Sequence, residues 1–151
     1  MIEEFLRNRG VGFEVIRHER AYTAQETAAT EHVSGHIFAK TVVVTDGEKY
    51  HMLVLPASRD VDFKKAGELI GTKVRLATED EMKPLFSECE LGAEPPFGSI
   101  FHLKAYVDQS LAERRDMVFR AGTHEKSIKM RYEDFLDLEK PTVAAFAKSL
   151  V

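Results

Sequence analysis

Three short stretches hold residue types that could carry chemistry. Lys40 stands inside Ile37-Phe38-Ala39-Lys40-Thr41-Val42-Val43-Val44-Thr45, a run otherwise written for a β-strand. Burying an ammonium costs free energy unless it is paired or reaches water, so this amine must point into a cavity, lie at a strand mouth, or snorkel to solvent. The second stretch is Leu91-Gly92-Ala93-Glu94-Pro95-Pro96-Phe97-Gly98. Its adjacent prolines stiffen the backbone, and fixed amides can hold an ester carbonyl or its oxyanion without reorganising; a plain connecting loop is the simpler reading. The third is Ala121-Gly122-Thr123-His124, a turn that ends on a histidine.

Other constellations are weaker. His32 and His36 have the i, i+4 spacing of two metal ligands on a helix, but Ser34 and Gly35 between them weaken that helix and no third ligand is adjacent. Two surface histidines near a helix end is the preferred reading, so no metal and no cofactor is expected. Cys89 could act as a nucleophile with His124 or His102 as base, although a lone cysteine is more often a small buried hydrophobe. Neither a nucleophile elbow nor a phosphate-binding glycine loop is present.

The elements that must position these residues follow from periodicity and turn chemistry. Ile2, Phe5 and Leu6 give a short helix stopped by Gly10, and a strand runs over 12–18. Thr23-Ala24-Gln25-Glu26 matches a capping box for a helix to about Glu31. Asp46-Gly47 joins the lysine strand to Tyr50-His51-Met52-Leu53-Val54-Leu55 in a hairpin. Asp60 or Asp62 caps a helix over Phe63 to Ile70, ending at Gly71; Lys73 to Ala77 is a short strand; Thr78 to Glu81 caps a helix in which Pro84 is tolerable only near the first turn. Strands follow at Ile100 to Val107, Asp116 to Ala121 and Ser127 to Met130, then a helix at Tyr132 to Leu138. Val143, Ala144, Phe146, Ala147 and Leu150 predict a closing helix from Pro141. Hairpin-linked strands outnumber strand–helix alternation, so the expected class is α+β with a curled sheet.

Composition bounds the rest. A chain of 151 residues, 44% hydrophobic, fits one domain spanning 1–151 with a real core. The formal charge of −4 argues against a protein that coats nucleic acid through its overall field. Locally, Arg114, Arg115, Arg120, Lys126, Lys129 and Arg131 face only Asp116 and Glu125, a surplus that could meet an RNA backbone or form a mixed solvated strand face. The single cysteine excludes an internal disulfide, the N-terminus does not read as a signal peptide, and no segment is long enough to span a bilayer. A cytoplasmic protein is expected.

Taken together, Phe38-Ala39-Lys40-Thr41-Val42, the G-x-x-x-P loop Gly92-Ala93-Glu94-Pro95-Pro96 with Phe97-Gly98, and Gly122-Thr123-His124 resemble the YbaK-like aminoacyl-tRNA deacylases. That family includes the editing insertion domain of bacterial prolyl-tRNA synthetases and its free-standing relatives, and the resemblance runs from Glu31 through Leu138. It implies a curled or barrel-like mixed β-sheet flanked by helices, and hydrolysis of a mischarged amino acid from the 3′ end of tRNA, most plausibly proline tRNA. It also implies roles. Lys40 holds the terminal nucleotide, the backbone of Gly92 and Pro96 positions the ester, and His124 helps shape an amino-acid pocket with Phe38, Thr41, Ala93, Pro95, Phe97, Gly98 and Gly122. Water would attack directly, helped by the substrate's own 2′-hydroxyl. The partners implied are aminoacyl-tRNA and a prolyl-tRNA synthetase. Alanine-specific relatives look to have Asn after the lysine where this chain has Thr41, which puts substrate choice there. The alternatives are a non-catalytic module that binds aminoacyl-tRNA or an aminoacyl nucleotide, and a metal-dependent hydrolase built on His32 and His36.

Overall fold

Asp46 closes the expected hairpin by accepting the N–H groups of Glu48 and Lys49, each at 2.8 Å, while Gly47 takes the left-handed φ of +102° that the turn requires. The computed structural model, which describes residues 1–17, 35–112 and 114–150, pairs β2 (Ala39–Thr45) antiparallel with β3 (Tyr50–Pro56), Lys40 opposite Leu55 and Thr41 opposite Val54. The Thr23 capping box and His32 lie outside the described residues.

Around this hairpin the order is α1 (Ile2–Asn8), β1 (Phe13–Arg17), then, after the hairpin, β4 (Arg59–Val61), α2 (Phe63–Ile70), β5 (Arg75–Leu76) and α3 (Glu79–Leu85). A 3₁₀ turn at Gly98–Phe101 leads into β6 (Lys104–Asp108), a second at Gln109–Leu111 into β7 (Asp116–Arg120), and β8 (Lys126–Arg131), α4 (Tyr132–Glu139), β9 (Thr142–Ala144) and β10 (Ala147–Ser149) complete the chain. The sheets run β5-β2-β3-β6-β9, with antiparallel and parallel pairs mixed, β1-β8-β7, and β10-β4. A bridge from Phe38 to Val118 ties the first sheet to the second. The class is therefore the α+β one expected, with a mixed sheet that does not close into a barrel.

Alternation along β2 sorts its residues between two cores. Ala39 and Val43 face the cluster of Met52, Val54, Phe97, Phe119 and Phe135; Val44, and the partly buried Val42, face Leu53, Leu55, Val61, Tyr106 and Phe146. Lys40, even-numbered, shares the face of Val42 and Val44. Thr41 shares the face of Ala39 and Val43. The capped helices form as read: Asp62, not Asp60, accepts the N–H groups of Lys64 and Lys65, and Thr78 and Glu81 exchange both bonds of a capping box.

Three expectations are corrected. Residues 100–103 are not strand: the 3₁₀ turn Gly98–Phe101 takes the first two, with Ile100 N–H on Phe97 O at 3.1 Å, and Leu103 N–H closes the turn on Gly98 O at 2.9 Å. Pro84 sits near the end of α3, not in its first turn; the helix is so short that only one ladder bond is forfeited, and Phe86 N–H still closes on Met82 O. The predicted closing helix is absent. Asp108 Oδ1 accepts the N–H groups of Phe146 and Ala147, both at 2.9 Å, which holds the chain extended between β9 and β10. Phe146 is fully buried by this route while Val143, one of the supposed apolar face, is 45% exposed. The helical spacing of the tail was coincidental, and β-pairing with β6 and β4 outcompeted it.

Candidate active site

The Gly92 loop is a tight turn stitched to the Gly122 turn. Glu90 N–H donates to Gly122 O at 2.8 Å, Gly122 N–H to Ala93 O at 2.9 Å, and Ala93 N–H to Glu90 O at 3.0 Å. Gly92 and Gly122 both adopt positive φ, +86° and +89°, so glycine is required at each bend. His124 serves this joint: its N–H donates to Glu90 Oε1 at 3.2 Å, and ring Nε2, donating to Leu91 O at 2.7 Å, carries the proton. The ring is 3% exposed and stands behind the loop. Pro95 and Pro96 are buried, and Phe97 drives into the core against Phe5, Phe119 and Phe135 at centroid distances of 5.4, 5.8 and 5.2 Å. A Cβ on Gly98 would meet Leu103 O at 2.5 Å, so this position admits nothing larger.

Two buried charged groups complete the turn. Arg120 Nη1 donates to Gly92 O at 2.6 Å, and the carboxylate of Glu94 accepts Gly92 N–H through both oxygens at 2.8 and 3.2 Å. Burial pushes the Glu94 carboxyl up to about 7, against the pull of the Gly92 amide and of Arg120. The amides expected to hold an ester carbonyl are therefore largely engaged: Gly92 N–H by Glu94, Ala93 N–H by Glu90, and none exists at Pro95 or Pro96.

A groove of about 300 Å³ opens between this turn and β2, lined by Thr41, Val43, Met82, Leu91, Gly92 and Glu94, with Glu79 at its side. Its β2 wall is a strand edge. Among the described residues, no strand pairs with that side of β2 between the Phe38–Val118 bridge and the Val44–Leu76 pair. Val43 O accepts Ala77 N–H across this edge, and main-chain groups of alternate residues point the same way, so the N–H and C=O of Thr41 also point outward over the groove. A larger hollow of about 670 Å³ runs along α2 and is lined by none of the candidate site residues.

Of the predicted site residues, Thr41 and Gly92 meet at the groove; Ala93, Pro95, Pro96, Phe97, Gly98, Gly122 and His124 build the joint behind it; Phe38 is fully buried with Ala57 and Val118. Lys40 lies on the opposite face of β2 from Thr41. It is half-buried, and desolvation holds its amine below the usual lysine range while Asp60 pulls the other way. Cys89 is no thiolate: burial first, then the charges of Glu94 and Glu88, push its thiol up to about 12. The basic stretch is less available than its count suggests, since Arg120 is internal, Lys126 is bonded to Glu3, and Arg131 lies 3.6 Å from Glu133. Glu94 and Arg120 are the residues sequence reasoning missed. An acid directly before two prolines was a signal, because a loop so stiff cannot readily swing a charge away from the interior.

Comparisons with known proteins bear on the family and the fold. The model of the aminoacyl-tRNA editing domain family matches residues 18–138. A relative from Escherichia coli (strain K12), named as a multifunctional Ser/Thr-tRNA deacylase, is 29% identical over 150 residues, covering 95% of this chain and 89% of its own. The fold superposes on a hypothetical protein, APE2540, with a TM-score of 0.88 at 23% identity, covering 97% of this chain and 99% of the other. It also superposes on a protein provisionally described as a trans-editing enzyme for prolyl tRNA synthetase, with a TM-score of 0.86 at 24% identity, covering 98% and 95%. The strand lysine, the glycine-proline loop and the histidine turn thus sit in a chain that belongs to the aminoacyl-tRNA editing domain family.

Proposed function

We propose that the chain, acting as one editing domain, hydrolyses the ester of a small mischarged amino acid on tRNA, with proline tRNA as the acceptor tested first. The observation that carries this reading is the groove of about 300 Å³ between the open edge of β2 and the Gly92 turn, sized for an amino-acid side chain and apolar along most of its wall. Among the described residues, no activated nucleophile lines it, which fits direct attack by water on the ester carbonyl. The developing oxyanion finds a fixed donor in the outward N–H of Thr41, since Gly92 N–H is already spent on Glu94. Lys40, on its flexible stem at the start of β2, supplies a point charge for the ribose or phosphate of the terminal nucleotide. Its lowered pKa reflects a partly desolvated amine that gains by meeting an anion.

A second reading concerns the amino acid. The Escherichia coli relative is named for Ser/Thr-tRNA, and Thr41 sets a hydroxyl-bearing residue at the groove, so serine or threonine esters stand beside alanine as the load removed. The test is one panel: purified protein with proline tRNA carrying alanine, serine, cysteine or 2-aminobutyrate, and with serine and threonine tRNAs carrying their own amino acids, each with and without chelator and prolyl-tRNA synthetase. The reading expects release well above the uncatalysed rate for at least one small amino acid, unchanged by chelator. Binding without release would leave a non-catalytic module; inhibition by chelator would return the metal reading.

A further inference from the structure

The groove is lined for a cation. Its walls carry two carboxylates, Glu94 and Glu79, and the outward carbonyl of Thr41, while no lysine, arginine or histidine lines it among the described residues. The buried Arg120 stands beneath the turn, where it donates to Gly92 O and attracts the Glu94 carboxylate without lining the groove. This is a poor setting for a phosphate and a good one for an ammonium. Glu94 is 4% exposed, lies between this groove and a second hollow beside Cys89, and is held in place by both of its bonds to Gly92 N–H.

We propose that Glu94 and the carbonyl of Thr41 read the free α-ammonium of the aminoacyl group, so that the amino acid joins the open edge of β2 as a single added residue. A residue that pairs with a strand edge exchanges both of its main-chain bonds with one partner. Here the α-ammonium donates to Thr41 O, the ester carbonyl accepts from Thr41 N–H, and Glu94 supplies the charge that separates an ammonium from an amide. The substrate class is therefore esters of amino acids with a free amino group. Peptidyl and N-acylated esters are rejected. The proposal rests on the aminoacyl-ester reading above, deepening it by naming what the site reads.

The experiment compares the parent with Glu94→Gln, which retains an oxygen for Gly92 N–H, on the best aminoacyl-tRNA from the panel and on its N-acetylated form. Melting curves first show that the variant is folded. A charge-assisted hydrogen bond is worth roughly 1.5–3 kcal/mol, so the parent's preference for the free amine, divided by the variant's preference, should be about 10- to 100-fold. This ratio cancels the intrinsic effect of acetylation on the ester. A ratio near one overturns the proposal while leaving the deacylase reading intact. A non-hydrolysable 3′-aminoacylamido-adenosine gives the same comparison by calorimetry without turnover. If it binds with the Glu94-dependent preference while no tRNA is deacylated, the ammonium site stands and the deacylase reading falls. If it binds its N-acetyl form equally well, or not at all, the ammonium site falls.

Discussion

Replacing Glu94 by glutamine should make the protein more stable at neutral pH, by an amount the structure sets. Glu94 is 4% exposed, and burial raises its carboxyl from 4.5 to about 7. The unfolded chain releases this proton near 4.5 and the folded chain near 7, so between those values the folded state binds more protons. Raising the pH through that window therefore costs stability, which is fully present below 4.5 and lost by the time the pH passes 7. At 1.36 kcal/mol per pH unit the loss is about 3 kcal/mol. Glutamine cannot ionise and keeps an oxygen for Gly92 N–H, so it escapes that loss. Parent and variant should be about equal at pH 4.5, and the variant ahead by about 3 kcal/mol at pH 8, or roughly 6–12 °C in Tm for a chain of this size.

Urea unfolding of both proteins at steps from pH 4.5 to 8 provides the measurement. Glu139, whose carboxyl burial also raises, and His51, which burial lowers, titrate in both proteins and cancel in the difference. A difference that stays flat across this window, or that moves in favour of the parent as pH rises, refutes the assignment of a buried, proton-holding carboxyl at this position. The same variant is expected to lose discrimination for the free amine, so a gain in stability and a loss of selectivity should arrive together.

Other perturbations address the rest of the site. Lys40→Ala should lower deacylation about 10- to 100-fold, the worth of one charge-assisted contact, and leave the melting temperature within a few degrees because the amine is only half-buried; near-parental activity would remove Lys40 from the site. Cys89→Ser should leave kcat/KM within about two-fold, since a thiol pushed up to about 12 is not the attacking group, and inactivation would restore a thiol mechanism. Phe97→Ala should cost about 3–5 kcal/mol by emptying an aromatic cluster, read as a lower urea midpoint, because Phe97 anchors the prolyl loop in the core; a loss under about 1 kcal/mol would show that the loop holds itself.

Elements whose signals are local were legible from the sequence. The Asp46-Gly47 hairpin, the Asp62 cap and the Thr78–Glu81 capping box depend on residues within four positions of one another, and each is found as read. The tail was not legible because its conformation is decided by Asp108, some forty positions away, whose carboxylate takes the N–H groups of Phe146 and Ala147. The site divides the same way. Strand alternation placed Thr41 and Lys40 on opposite faces and could have warned that one groove would not hold both side chains. Nothing local said that Arg120 would turn inward beneath Gly92, since the carbonyl it meets lies 28 positions away in the chain.

The prolyl loop was expected to be a cradle of free amides, and the structure makes it something different: a joint whose amides are largely satisfied internally and which sets one buried acid at the groove wall. Two prolines and two positive-φ glycines fix Glu94 where it cannot relax toward water, so its charge is costly when the groove is empty. A fold that only needed to bridge α3 and β6 could fill this position with an apolar residue and be more stable for it. Gly92 N–H and Arg120 offset only part of the burial cost, so an ionisable group retained there gains from a further cation. An α-ammonium delivered by an aminoacyl ester offsets the buried charge on binding, which would couple the most unfavourable electrostatic feature of the empty groove to recognition of the one group that every mischarged amino acid shares.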